Sequence, residues 1–198
     1  MSDPASAYPP DPAVTRRFVI ACLILLFAGL IVLFRVAVLP DENLSLVYLA
    51  VITSALALAN ACHMFGWRSA IFLFLLCAVV GWTSEQLGIQ YLQHTSAAYH
   101  YTNVLGPRLG HVPLVIPLSW YTSIYSAYVI ANLIVKGQYE FRTPAWGATI
   151  ALAFLSALVE TSWDLSMDPY MVHKLNAWVW EQGGPNFGSP FRNYLGWR

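Results

Sequence analysis

Long apolar runs separated by short polar stretches dominate the chain. A helix that crosses a bilayer needs about 20 mostly apolar residues, and in lipid only helices and closed barrels satisfy the backbone. The pattern predicts about five transmembrane helices: 18–34, 44–65, 69–92, a fourth from the region of Pro113 and Pro117 to Val135, and a fifth over 145–163. The predicted fold class is therefore an all-α, polytopic integral membrane helical bundle.

The remaining segments are polar or aromatic. Residues 1–15 contain four prolines and small polar side chains, which predicts a disordered tail, and 16–198 is predicted to be a single membrane domain. Residues 93–111 form the first long polar loop. After Pro169, tryptophan, phenylalanine and tyrosine recur, which predicts an aromatic interfacial C-terminal segment.

Five spans would place Glu85, the 93–111 loop, the end of the fifth helix and the aromatic segment on one membrane face. Basic residues in the short loops favour a cytoplasmic N-terminus. Arg16 and Arg17 precede the first apolar run, which has no small-x-small cleavage site, so we predict an uncleaved anchor.

Composition supports this class. Apolar residues make up 58% of the 198 residues and charged residues 10%, against about 25% charged residues in soluble domains. We therefore expect a multi-pass protein of the cell membrane. Ten basic and ten acidic residues balance, so nucleic acid is not an expected partner. Single cysteines and scattered histidines predict neither a disulfide framework nor a metal site.

Three carboxylates at spacings of four carry the candidate chemistry: Glu160, Asp164 and Asp168. This spacing places them on one helix face, and Pro169 is predicted to end the helix directly after them. Carboxylates at the end of a membrane helix are costly unless water, a partner or a function accounts for them. Glu85, near the end of the third run, would share their membrane face.

A protonated carboxylic acid beside an apolar compartment can protonate a carbon–carbon double bond. Aromatic faces stabilise the resulting cation, and a second carboxylate can deprotonate the attacking water. The alternative role is helix capping and interhelical hydrogen bonding. We favour that structural role for Glu160, expecting it to lie deeper than the site, and the chemical role for Asp164 and Asp168. For Glu85 both roles stay open.

Three blocks in the second half of the chain resemble a known family. They are Tyr99-x-Tyr101-Thr102 with Leu105-Gly106-Pro107, Val112-Pro113-Leu114 and Pro117-Leu118-x-Trp120; Trp163-Asp164-Leu165-x-Met167-Asp168-Pro169; and Trp178-x-Trp180 with Gly188-Ser189-Pro190-Phe191-x-Asn193-Tyr194-Leu195-Gly196-Trp197. In order and spacing they resemble the CruF-type carotenoid 1,2-hydratases over roughly residues 85–197.

The resemblance implies cofactor-independent addition of water to the terminal C1–C2 double bond of an acyclic carotenoid. The implied catalytic residues are Asp164, Asp168 and Glu85. The implied substrate-binding residues are Tyr99, Tyr101, Trp120, Trp163, Asn193 and Trp197. No metal is implied, and the implied partners are the carotenoid, membrane lipid and other carotenoid-synthesis enzymes.

The chain departs from that family's pattern at two places. Thr95-Ser96-Ala97-Ala98 precedes the first tyrosine of the motif, and the sequence stops after Gly196-Trp197, where the family continues with further membrane helix. We therefore expect a fragment or a short relative that lacks the family's C-terminal helix or helices.

Two other functions fit the same residues. One is a carotenoid or polyisoprenoid cyclase or isomerase that uses the same protonation chemistry but admits no water. The other is a non-catalytic, lipid-binding subunit of a carotenoid-synthesis complex, whose function would survive replacement of the acids.

Overall fold

The structure, a computed structural model, describes residues 16–18, 20–22, 24–25, 27–31, 42–92, 98–137, 146–184 and 190. Four long helices lie in these ranges: α1 (Glu42–Phe65), α2 (Trp67–Leu92), α3 (Val115–Lys136) and α4 (Trp146–His173). Each is long and apolar enough to cross a membrane. The chain is an all-α membrane helical bundle, which confirms the predicted fold class.

The first predicted span is described in part. The described residues between 16 and 31 are helical, as the apolar run predicts. Phe18 stacks on His63 of α1 with ring centroids 4.4 Å apart, so this helical stretch lies against the bundle. The predicted tail, residues 1–15, lies outside the described residues.

Helix α3 is the centre of the described bundle, because it packs against α1, α2 and α4. Polar contacts inside the membrane fix its position. Ser54 of α1 donates to the Leu118 carbonyl at 2.9 Å and lies 2.8 Å from the hydroxyl of Thr122. Interhelical hydrogen bonds of this kind, together with small interface residues, associate helices in lipid.

Small residues pack the interior between α1, α2 and α3. The cluster, called here the alanine-packed core, consists of Ala57, Ala61, Ala70, Cys77, Tyr121 and Tyr125. Small side chains let helix backbones approach closely, and this compensates for the weak hydrophobic drive between helices in lipid. This region therefore serves helix association.

Short strands cover one end of the bundle, and the sequence did not predict them. β1 (Tyr99–Tyr101) pairs antiparallel with β4 (Trp178–Trp180), and β2 (Arg108–Leu109) pairs with β3 (Val112–Pro113). The predicted polar loop therefore contains strands over its described part, and the predicted aromatic segment begins as β4. The β1–β4 pairing links the chain after α2 to the chain after α4.

The predicted end of the fifth helix was wrong. α4 continues through Pro169 to His173. Proline removes one backbone donor and crowds the carbonyl four residues earlier, but here only the last turn follows it. Met171 and Val172 in that turn pack on the cluster around Trp178. The Met171 carbonyl also accepts from the backbone N–H of Ala177 at 2.9 Å, so tertiary contacts hold the turn.

Candidate active site

A cavity of about 80 Å³ lies beneath the β1–β4 pair, between α2, α3 and α4. It is called here the acid chamber. Carboxylates, phenols, indoles and hydroxyls line it, with two apolar side chains: Glu85, Tyr99, Tyr101, Ile116, Ser119, Trp120, Ser123, Glu160, Asp164, Met167, Asp168, Trp178 and Trp180. A cavity of this volume can hold water and a small apolar group beside it.

Glu85 accepts three hydrogen bonds from the walls of the chamber. It lies near the end of α2 and is 9% exposed. Its Oε2 accepts from the hydroxyls of Tyr99 at 2.5 Å and Tyr101 at 2.9 Å. Its Oε1 accepts from Trp120 Nε1 at 3.1 Å. Two hydroxyl groups of β1 and one indole N–H of α3 therefore hold this carboxyl group in place, and in each of these bonds it is the acceptor.

The two tyrosines remain protonated donors. Burial raises the pKa of the Tyr99 hydroxyl, and the neighbouring Glu85 raises it further. Burial and then Glu85 raise the pKa of the Tyr101 hydroxyl in the same way. A desolvated phenol next to a carboxylate resists ionisation, because a second negative charge would be poorly solvated and repelled. Both hydroxyls thus hold Glu85 over the working pH range of most enzymes.

Helix α4 supplies the other acids. Glu160, Asp164 and Asp168 are all buried, so the prediction that the spacing of four places them on one helix face is confirmed. Asp164 is 4% exposed and Asp168 is 1% exposed. Asp168 Oδ1 accepts from Trp178 Nε1 at 2.7 Å, which ties the α4 acid to strand β4. Asp164 lies near enough to Tyr101 to interact with its hydroxyl electrostatically.

Glu160 also lines the chamber, although the sequence analysis placed it deeper and favoured a structural role. It is 9% exposed, and Ser123 of α3 lies within hydrogen-bonding reach of its carboxyl group. Among the described residues, no hydrogen-bond partner contacts its Oε2. The spacing of four already contained this signal, but the depth of the chamber in the bundle could not be read from it.

Aromatic rings form the outer wall. In the β1–β4 register, Tyr99 faces Trp180 and Tyr101 faces Trp178. Their ring centroids lie 4.8 Å and 6.0 Å apart. Cross-strand aromatic pairs of this kind stabilise a strand pair, so the pairing presents four aromatic side chains to the acids.

A glycine positions the remaining indole. A Cβ on Gly81 of α2 would lie 2.7 Å from Cγ and 2.9 Å from Cβ of Trp120. Only glycine therefore allows the Trp120 ring to lie against α2, one turn before Glu85, and donate to that carboxyl group.

The structure brings together six of the nine residues predicted from the sequence: Glu85, Tyr99, Tyr101, Trp120, Asp164 and Asp168. Trp163 is 61% exposed and lines a neighbouring groove instead. Asn193 and Trp197 lie outside the described residues. The chamber also contains five side chains that were not predicted as site residues: Ser119, Ser123, Met167, Trp178 and Trp180. Met167 and the two tryptophans belong to motifs quoted above.

The arrangement suits acid–base chemistry on an apolar molecule. Several carboxyl groups lie in one buried space, and a carboxyl group can act as a general acid or as a general base. Aromatic faces nearby attract positive charge. Carboxyl groups and aromatic faces of this kind are what protonation of an apolar double bond requires.

Comparison with known proteins gives one match. Residues 44–198 match the sequence model of a family described as "Carotenoid biosynthesis protein". Neither curated proteins nor solved structures gave a match.

Proposed function

The chain belongs to the carotenoid biosynthesis protein family, and from this premise we propose that it is a carotenoid 1,2-hydratase of the cell membrane. It adds water to the terminal C1–C2 double bond of an acyclic carotenoid and forms a tertiary alcohol. The observation that carries the proposal is the acid chamber, in which Glu85, Asp164 and Asp168 lie beside an aromatic wall. Membrane location follows from the four apolar helices.

The first step is protonation of the double bond. The Asp164–Asp168 pair donates a proton to C2, the less substituted carbon, and the π electrons form the new C–H bond. The positive charge then resides on C1, a tertiary carbon. Tyr101 and Trp178, whose rings pack edge to face, shield this charge by cation–π attraction.

The second step is addition of water to C1. The water oxygen forms the C–O bond, and Glu85 accepts the proton that the water loses. Glu85 suits this role because its hydrogen bonds with Tyr99, Tyr101 and Trp120 all use it as an acceptor. Proton exchange among the carboxyl groups then restores the starting state. The net reaction consumes one water and no redox equivalent.

The position of the chamber fits such a substrate. It lies at the end of α2 and beneath the strand pair, where a membrane helix meets the interface and water is available. An acyclic carotenoid is apolar and about as long as a bilayer is thick. Its end group would therefore reach the chamber while the rest of the chain stays among apolar groups.

The test is pigment analysis in a lycopene-producing host that expresses the full-length gene. We expect pigments heavier than lycopene by one water, and in ¹⁸O-labelled water the label enters the new hydroxyl group. Anaerobic cells form the same product. Incorporation of oxygen from labelled dioxygen excludes hydration, and a product of unchanged mass indicates a cyclase or isomerase.

A further inference from the structure

A second cavity of about 270 Å³ lies between α3 and α4. It is called here the side groove. Its walls are formed by Thr122 to Ile130 of α3 and by Val159, Glu160 and Trp163 of α4. Small side chains, among them Ser126 and Ala127, make the space available on the α3 side.

The side groove and the acid chamber adjoin. Ser123 and Glu160 line both cavities. Of the four acids of the chamber, Glu160 is the one that the groove also contacts. Glu160 Oε2, which no described residue contacts by a hydrogen bond, lies at this junction. A buried carboxyl oxygen needs a donor, and an alkyl chain cannot supply one.

The groove lies within the membrane-spanning part of the bundle. From Thr122 to Ile130 it follows α3 for about 12 Å, at 1.5 Å per residue. That length is close to half of a hydrocarbon core of about 30 Å. Ile130 is 44% exposed and Trp163 is 61% exposed, so the groove is open on its side, toward lipid.

We propose that the side groove binds the isoprenoid chain of an acyclic carotenoid and admits it sideways from the bilayer. This rests on the proposed hydratase function and assigns the chain a binding subsite. The terminal double bond lies in the acid chamber, and the adjoining methyl-branched chain extends along α3 and α4. A phospholipid acyl chain fits the groove less well, because it leaves Glu160 Oε2 without a donor, whereas hydration of a carotenoid supplies one as water and then as the new hydroxyl group.

Glu160 then has a role at the junction. The attacking water, and afterwards the new hydroxyl group on C1, donates a hydrogen bond to Glu160 Oε2. Ser123 holds the other side of the carboxyl group. The chain fills the groove on the lipid side of Glu160, which keeps water confined to the chamber during the reaction.

Ser126 provides the test, because its side chain is exposed and lines the groove. We compare S126A, S126L and S126F with S162F in the full-length protein. Ser162 is the matched control: it is an exposed serine of α4 that donates to the Leu158 carbonyl, and it does not line either cavity. Lycopene binding to detergent-purified protein and pigment conversion are both measured.

We expect binding and conversion to fall in the order of side-chain size, with S126A near wild type. In S126F, conversion falls about 100-fold, since a displacement of about 1 Å of the reacting group has that effect. S162F keeps wild-type binding and conversion. All variants should be recovered in similar amounts, because both positions face lipid.

Equal lycopene binding by S126F and S162F overturns the groove assignment, whether or not hydration occurs. Loss of co-purified phospholipid in S126F with unchanged lycopene binding also overturns it and identifies a lipid site. Size-dependent loss of lycopene binding without any hydrated product in wild type supports the groove and refutes the hydratase function. The two proposals therefore fail by different readouts.

Discussion

Tyrosines occur in both the acid chamber and the alanine-packed core, and their hydrogen-bond partners differ. In the chamber, Tyr99 and Tyr101 donate to the carboxyl group of Glu85. In the alanine-packed core, Tyr125 donates to the side-chain amide of Asn60. The hydroxyl of Tyr121 has no hydrogen-bond partner within the part of the chain that the structure describes.

The packing differs in the same way. Alanines let the helices approach closely in the core. Tyr121 packs there against the rings of Phe74 and Tyr125 at centroid distances of 5.0 Å and 6.0 Å. Around the chamber, strands and indoles hold carboxyl groups apart from lipid. In this bundle, neutral polar side chains form hydrogen bonds between helices, whereas the carboxyl groups line a cavity. Mutations in the two regions should therefore have different effects.

The largest effect is expected from the aspartates. D168N and D164N should each reduce pigment conversion by about 10²–10⁴-fold, because asparagine cannot exchange a proton and general acid–base help is worth about that much. Protein level and membrane insertion should stay unchanged. The measurement is conversion per unit of inserted protein in a lycopene-producing host.

E181Q is the matched control for the aspartates. Glu181 is exposed and pairs with His100 at 2.6 Å outside the chamber, so its amide variant should convert normally. Near-wild-type conversion by both aspartate variants would remove the carboxyl groups from the mechanism and favour a non-catalytic subunit. Reduced abundance instead of reduced turnover would assign them a structural role.

A smaller effect is expected from a single methyl group on α2. In G81A the new Cβ would lie 2.7 Å from Trp120 Cγ, so the indole must move and its bond to Glu85 is lost. Conversion should fall about 100-fold, as a displacement of about 1 Å in a site can do. Stability need not fall, since alanine is about 1 kcal/mol better than glycine inside a helix.

A61L is the comparison for G81A. Ala61 is fully buried in the alanine-packed core, and overpacking there should lower stability by about 1–3 kcal/mol. Thermal unfolding in detergent measures this loss, and conversion per folded protein should persist. If A61L lost turnover and G81A lost only stability, our distinction between the two regions would be wrong.

The smallest effect is expected from Y99F. It removes one of the three bonds to Glu85 that are described here, and a hydrogen bond to a charged group is worth about 1.5–3 kcal/mol. Conversion should fall about tenfold, since Tyr101 and Trp120 still hold the carboxyl group. Y125F, which loses a bond in the alanine-packed core, should leave conversion per folded protein unchanged.

The same variant tests the raised pKa of the Tyr99 hydroxyl. In the unfolded chain a phenol ionises near pH 10, while burial and Glu85 keep the folded one protonated. Above that pH the unfolded state binds fewer protons, so stability falls as pH rises. Y99F should lose less stability than wild type between about pH 10 and 11. An identical decline in both would show that Tyr99 titrates normally.

The helices and the acidic face could be predicted from the sequence because both depend on local periodicity. A run of apolar residues is sufficient to predict a membrane helix, and Glu160, Asp164 and Asp168 share a face whatever surrounds them. The turn after Pro169 could not be predicted in this way. It depends on Met171 and Val172 packing against a cluster that includes Trp178.

The aromatic wall of the chamber could not be predicted from local sequence patterns either. Tyr99 pairs with Trp180 across 81 residues of sequence, and three-residue strands carry little signal of their own. Gly81 and Trp120 show the same limit, because their fit depends on how α2 packs against α3. The acids and aromatic residues of the site could be identified from the sequence. The distances between them could be obtained only from the three-dimensional structure.

The pairing of β1 with β4 has a consequence for the order of biosynthesis. Tyr99 is translated before α3 and α4, and Trp178 only after them. A nascent chain can therefore insert its helices while Glu85 and Asp168 still lack the aromatic cover between them. The strand pair can therefore close over the acids only after Trp180, the last residue of β4, has been synthesised, which is later than the completion of α4.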